Sequence, residues 1–289
     1  MANGARLWFD VLSPEIGVLD AGVVARRPVV GVHGGPGIDS TAMAGVLSPL
    51  GDVAHTLRYD QRGHGRSEHG VPADWTVQTW ADDLAELCRG LGLEQPVLLG
   101  TSFGARVALT CAARHPDLVA GVIAAYGGAR LDEHQTIEAF RRLGGDRVAA
   151  VAAGRPEDPE ASFQEWIEVC WPLVSRSPSG AAHLARMQQL SMHSPDVHAV
   201  HMAQDLEREP VPELQAVRCP VLVLGGADDP LSTPALMVEL ADSLTDRAQC
   251  RLVLIPGAGH PVFLDRPDQA YPEVRAFLAG LPPLGGRSS

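Results

Sequence analysis

Two kinds of apolar run divide the chain. Short runs at residues 28–32, 97–99, 118–125, 221–224 and, after its first residue Arg251, 251–255 have the length and continuity of strands buried on both faces. Longer runs are periodic: Trp80, Leu84, Leu87 and Leu91 recur at helical spacing within 77–91, and helical runs also follow Ser102 and cover 234–244 and 267–278. Residues 7–12, 16–19 and 53–59 add further extended segments. Strands that alternate with helices in this way predict a mostly parallel, twisted sheet with crossover helices on both faces. Between about 129 and 213 the strand-like runs cease, and amphipathic helical segments are broken only at Gly154-Arg155-Pro156 and around Ser175 to Gly180. The pattern therefore predicts an α/β core over 1–128 and 214–289, interrupted by a helical cap at 129–213, with a frayed tail over 282–289.

Composition narrows the class. With 45% hydrophobic and 20% charged residues over 289 positions, the chain can bury a large core, which sets aside disordered and fibrous proteins. A formal charge of −12, with no basic run and no arginine patch interleaved with aromatics, argues against nucleic acid and membrane surfaces as partners. The sequence contains no lysine, so its side-chain cations other than histidine are all arginines. No stretch approaches the ~20 apolar residues of a spanning helix and the first residues carry no apolar leader, so a cytoplasmic location is expected. Cysteines 88, 111, 170, 219 and 250 form no C-x-x-C pair, and their odd number does not suit a complete disulfide framework.

Candidate chemistry gathers where the strand-like runs end. Gly100-Thr101-Ser102-Phe103-Gly104 is a G-x-S-x-G turn between a strand and a helix, the form of a nucleophile elbow that exposes a serine hydroxyl. A hydroxyl is a poor nucleophile until a base removes its proton, so a histidine oriented by a carboxylate is required. Asp228 and Asp229 follow the 221–224 run in Gly225-Gly226-Ala227-Asp228-Asp229-Pro230, whereas the loop after 118–125 offers only Tyr126-Gly127-Gly128. Among eleven histidines, His260 alone lies both in a strand-end glycine-rich loop, Gly257-Ala258-Gly259-His260-Pro261, and downstream of that acid. Backbone amides of Gly35, in His33-Gly34-Gly35-Pro36-Gly37, and of Phe103 are placed to form an oxyanion hole. His198, His201 and Asp205 share a helical face but have no further ligands beside them, so neither a metal nor a cofactor is expected.

These residues carry a family likeness. The chain resembles the α/β-hydrolases over roughly 25–128 and 215–280, and HGGPG at 33–37, DQRGHGRS at 60–67 and GTSFGA at 100–105 resemble the prolyl aminopeptidase (proline iminopeptidase) branch. The resemblance implies the α/β-hydrolase fold with a helical cap and a triad of Ser102, Asp229 and His260, Asp229 standing three after Gly226 in a G-x-x-D loop. Asp60, Arg62 and Ser67 would stabilise their loop by local hydrogen bonds without taking part in the chemistry. Relatives in that branch hold the substrate's amino group with cap carboxylates, for which Glu165, Glu168, Asp205, Glu207 and Glu209 are candidates. Glu165 and Glu168 flank Trp166 on one helical segment, and these three are the expected substrate-binding residues. The expected activity is that of a metal-independent serine hydrolase acting on a small molecule or short peptide, releasing a small N-terminal residue of proline or alanine type. A carboxylesterase, lactonase or carbon–carbon bond hydrolase is the alternative, and a non-enzymatic ligand receptor on the same fold a third reading.

Overall fold

The computed structural model describes residues 4–19, 22–128, 130–154, 165–203, 214–244 and 250–284. The unbroken apolar runs form strands β4 (Pro28–Val32), β6 (Val97–Thr101), β7 (Gly121–Ala125) and β8 (Val221–Gly226), each buried along its whole length. Their alternate residues enter different layers. Val30, Leu98, Val122 and Val223 pack with Trp80 and Leu84 of α2 (Val77–Gly90), Leu109 of α3 (Phe103–Arg114) and Leu240 of a later helix (Pro234–Ser243). Val29, Leu99, Ile123 and Leu222 pack instead with Met43 and Leu47 of α1 (Met43–Leu47) and with Val274 of the last helix (Pro267–Gly280). Because both faces are covered, apolar residues are needed at every position, and the period-2 signal of a one-sided strand is lost.

The sheet order is β1-β5-β4-β6-β7-β8-β9, where β1 is Phe9–Val11, β5 is His55–Tyr59 and β9 is Cys250–Ile255. Only β1 runs antiparallel, against β5; the other neighbours are parallel. A separate antiparallel pair, β2 (Ile16–Leu19) and β3 (Gly22–Ala25), lies outside this sheet. Strand β4 has β5 on one side and β6 on the other, so the direction of strand addition reverses there. Such a switch point opens a crevice at the carboxyl ends of the strands, where the loops after β4 and β6 meet.

Two strands start later than their apolar runs. Val53 and Ala54 donate their N–H groups to Leu50 O and close a turn, so β5 begins at His55. Leu118 likewise donates to His115 O, and β7 begins at Gly121. Between β7 and β8 the described residues form α4 (Glu133–Ala153), a helical stretch at 165–169, a 3-10 turn (Trp171–Val174), α5 (Pro178–Leu190) and α6 (Pro195–Ala203). This helical insert has its own apolar cluster, built on Phe140, Val148, Cys170 and Val174 and extended by Trp166, Trp171 and Leu231. In chain order, Pro234–Ser243 is α7, Val262–Asp265 is α8 and Pro267–Gly280 is α9. No described helix is long and apolar enough to cross a membrane.

Candidate active site

Ser102 is the joint between β6 and α3, held at φ 52° and ψ −122°. A non-glycine residue in that region is strained by about 1–3 kcal/mol and persists only where its surroundings fix it. Its N–H donates to Ala125 O at 2.9 Å, and its carbonyl accepts from Ala105 N at 2.9 Å. Gly104 makes the turn compact: a Cβ there would lie 2.2 Å from Val32 O and 2.5 Å from His33 O. Helix α3 can therefore start directly against the end of β4, and only glycine permits it.

His260 and Asp229 arrive from the neighbouring loops. His260 Nε2 lies 3.1 Å from Ser102 Oγ, and Nδ1 lies 2.9 and 3.1 Å from the two carboxylate oxygens of Asp229. With Nδ1–H donating to the carboxylate, the Nε2 lone pair faces the serine, which is the tautomer a general base requires. Asp229 is buried and also accepts from the N–H groups of Leu231 (2.8 Å) and Ser232 (3.1 Å), so its orientation is fixed independently of the histidine. Asp228 is exposed, and its N–H goes to Ala258 O. Of the two adjacent acids, it is Asp229 that faces His260. Tyr126, at φ 40°, lays its ring edge-on to His260 with centroids 4.9 Å apart, and its carbonyl accepts from Ser232 Oγ. The tyrosine at the end of β7 thus offers no acid but supports the two loops that supply acid and base.

The HGGPG loop passes directly beside the serine, where a Cβ on Gly34 would lie 3.2 Å from Ser102 Cβ. Phe103 is the first residue of α3, so the helix contains no acceptor for its N–H, and the helix N-terminus favours negative charge. Two histidines that sequence reasoning left without a role hold this loop. His64 Nε2 accepts from Gly37 N–H at 2.9 Å while its Nδ1–H donates to Arg62 O. His33 Nε2 accepts from Gln61 N–H at 3.0 Å while its Nδ1–H donates to Gly34 O. Both must be neutral to accept. Burial lowers the pKa of each, and that of His64, further depressed by the neighbouring His33, falls to about 3. The sequence marked this role only by placing His33 and His64 in the HGGPG and DQRGHGRS loops, and did not show that these loops meet.

Asp60 and Ser67 make the local bonds expected of them, whereas Arg62 reaches out of the loop to Asp83 of α2. Burial raises the Asp60 pKa, but hydrogen bonds from the Arg66 guanidinium and N–H and from Ser40 outweigh it and hold the carboxyl below its ordinary range. Arg62 makes a bidentate pair with Asp83 at 2.8 and 2.7 Å, and Ser67 Oγ donates to Asp60 O.

Substrate-side candidates fall in different places. Trp166 packs 6.1 Å from Phe140 and 5.8 Å from Trp171, within the insert's apolar cluster. Glu165 is half-buried and Glu168 exposed; Asp205, Glu207 and Glu209 lie outside the described residues. His198 donates from Nδ1 to Pro36 O, and the ring of buried His201 stands edge-on to Phe103 at 4.8 Å. These two histidines lie against the HGGPG loop and the first residue of α3. Among the described residues, no group of three or more His, Cys, Asp or Glu side chains is placed to hold a metal ion.

The family described as alpha/beta hydrolase fold matches residues 27–267. The chain belongs to the α/β-hydrolase family. Within the family it is 29% identical over 252 residues to a 2-(acetamidomethylene)succinate hydrolase from Mesorhizobium japonicum, covering 82% of this chain and 84% of that protein. A thermophilic esterase from Thermogutta terrifontis superposes with a TM-score of 0.69 at 30% identity, over 95% of this chain and 93% of that one. The proline iminopeptidase from Mycobacterium smegmatis superposes at 0.71 with 25% identity, over 96% and 95% of the two chains. The α/β-hydrolase fold and the resemblance to the prolyl aminopeptidase branch are thus supported, and the named relatives carry different activities in their names: a succinate-derivative hydrolase, an esterase and an iminopeptidase.

Proposed function

We propose that this α/β-hydrolase cleaves a small amide or ester through an acyl-enzyme on Ser102. The observation that carries this is the continuous chain from Ser102 Oγ to His260 Nε2 and from His260 Nδ1 to Asp229. Ser102 attacks the carbonyl carbon as His260 takes its proton, and Asp229 stabilises the imidazolium that forms. The Gly35 and Phe103 amides receive the developing oxyanion. His260 then passes its proton to the leaving group and activates the water that releases the acyl group. The helical residues between β7 and β8 act as the cap over this crevice.

Two substrate readings follow from different observations. The HGGPG, DQRGHGRS and GTSFGA motifs and the superposed iminopeptidase support release of a small N-terminal residue, with half-buried Glu165 facing the substrate amine. The apolar cluster of the insert, the exposure of Glu168 and the esterase at 30% identity support a neutral ester or lactone. A panel of chromogenic amides of free proline and alanine, their N-acetylated forms and simple esters decides between them. Ser102→Ala serves as control. A serine hydrolase is labelled at Ser102 by a fluorophosphonate and loses labelling and turnover in Ser102→Ala; unlabelled wild-type protein would overturn the proposal.

A further inference from the structure

Five residues beyond His260, at the end of α8, stands a carboxylate that the triad does not use. Asp265 is 8% exposed, and it is surrounded by donors from two separate segments. Its Oδ2 accepts from Gly259 N–H and Arg176 N–H, both at 2.8 Å. Its Oδ1 accepts from Ser175 Oγ, from Ser177 N–H at 3.2 Å and from Ser177 Oγ at 3.0 Å. Gly259 belongs to the histidine loop, whereas residues 175–177 belong to the helical insert. Ser177 is also the N-cap of α5, accepting from Gly180 N–H, so the carboxylate faces the positive end of that helix.

The contact is reinforced on the backbone. His260 N–H donates to Val174 O at 2.8 Å, and a Cβ on Gly259 would lie 2.1 Å from the same oxygen. Of the two peptide groups on either side of Gly259, one is held directly by the insert through Val174 O, and the other by Asp265, which the insert's residues 175–177 hold in turn. Rotation of those groups is what would move the imidazole away from Ser102 and Asp229.

We infer that Asp265 is a positioning residue: it ties the cap to the loop that carries His260, so that the docked cap sets the aim of the catalytic base. This rests on the serine-hydrolase reading above. Displacement of a catalytic group by about 1 Å costs about 100-fold in rate, so an effect on turnover is expected although Asp265 lies outside the triad.

Asparagine is the sharp test. It keeps the shape of the side chain, but each oxygen of Asp265 receives at least two donors, so the amide NH2 meets opposing N–H or O–H groups in either orientation. Asp265→Asn should lower kcat for a small neutral ester by about 100-fold with little change in KM, and slow fluorophosphonate labelling of Ser102 in the same proportion. The double variant Ser175→Ala/Ser177→Ala removes the hydroxyl donors on the cap side while leaving Gly259 bonded, and should reproduce a smaller loss in kcat and labelling. A circular dichroism melt establishes that each variant is folded, and if Asp265→Asn is not, the serine pair decides. Wild-type kcat and labelling in a folded variant, or a loss confined to KM, would overturn the proposal. Wild-type protein that resists labelling at Ser102 would instead overturn the serine-hydrolase reading, and this one with it.

Discussion

The strained serine at φ 52° is kept by its neighbours, and Gly104 is the neighbour with the least room. Gly104→Ala would force its Cβ onto two backbone carbonyls, so a loss of about 1–3 kcal/mol or more is expected, visible as a lower urea midpoint together with lost activity. If Asp229 orients His260 as proposed, Asp229→Asn should cost about 10,000-fold in kcat/KM, because the imidazole loses its tautomer, while Asp228→Asn stays near wild type. The reverse ranking of the two would move the acid by one residue. His64 yields a pH prediction. Its pKa falls from 6.5 to about 3 in the fold, so between those values the unfolded chain binds a proton that the native one does not. Stability is therefore complete above pH 6.5 and is lost as the pH falls toward 3, at up to about 1.4 kcal/mol per pH unit from this residue. His64→Gln, which offers Gly37 a neutral acceptor, should flatten that slope in urea titrations between pH 4 and 6.5; an unchanged slope would show that His64 is not the group responsible. Ser102 and His260 were legible because each stands in a glycine-framed loop at a strand end, in the required order. The paired Asp228 and Asp229 were separated only by a spacing rule, which burial now explains. The loop-holding work of His64 was not legible, since its acceptor role exists only once two loops distant in sequence meet.

The crevice depends on how loops are tied to helices. Arg62 reaches from the DQRGHGRS loop to Asp83 of α2, where both side chains are buried. Removing the guanidinium leaves a carboxylate in a desolvated site, so Arg62→Ala should destabilise by about 3–5 kcal/mol, whereas an apolar pair in place of both residues should recover much of the loss. Equal stability of the single and double replacements in urea melts would show that the charge of Asp83 is not what matters there. At this scale the sequence pattern was informative for strands covered on both faces, because burial demands apolar residues without a break. It failed for β3, whose Gly22–Ala25 run pairs only with β2 outside the main sheet, and for α1, where Met43–Leu47 is too short for a helical period to show. It also overextended β5 and β7, because the turns before them are built from apolar residues, Val53 and Leu118, whose hydrogen bonds and not their hydropathy end the strand.

Over the molecule as a whole, the helical insert meets both sides of the crevice. It meets the HGGPG loop where Gly37 O accepts from Ser194 N–H and Ile38 bridges His193, and the histidine loop through Val174 and Asp265. What it selects was not legible from the chain, because the candidate glutamates carry no spacing that distinguishes a binding face from a solvated one. If an amine is bound there, Glu165→Gln should raise KM for a free-amino amide by about tenfold while a neutral ester is unaffected, and N-acetylation should abolish cleavage. Equal rates for acetylated and free substrates would leave only the ester reading. The bond between His260 and Ser102 closes a span of 158 residues, and Ser102, Asp229 and His260 follow β6, β8 and β9, with β7 standing between the first two of these strands in the sheet. On the proposed mechanism, turnover requires the completed chain fold, because a fragment that ends before β9 lacks His260. Loops of that length close late in folding. During refolding from urea, helical signal should return before fluorophosphonate labelling of Ser102 does, and the interval between the two would time the arrival of the last strand.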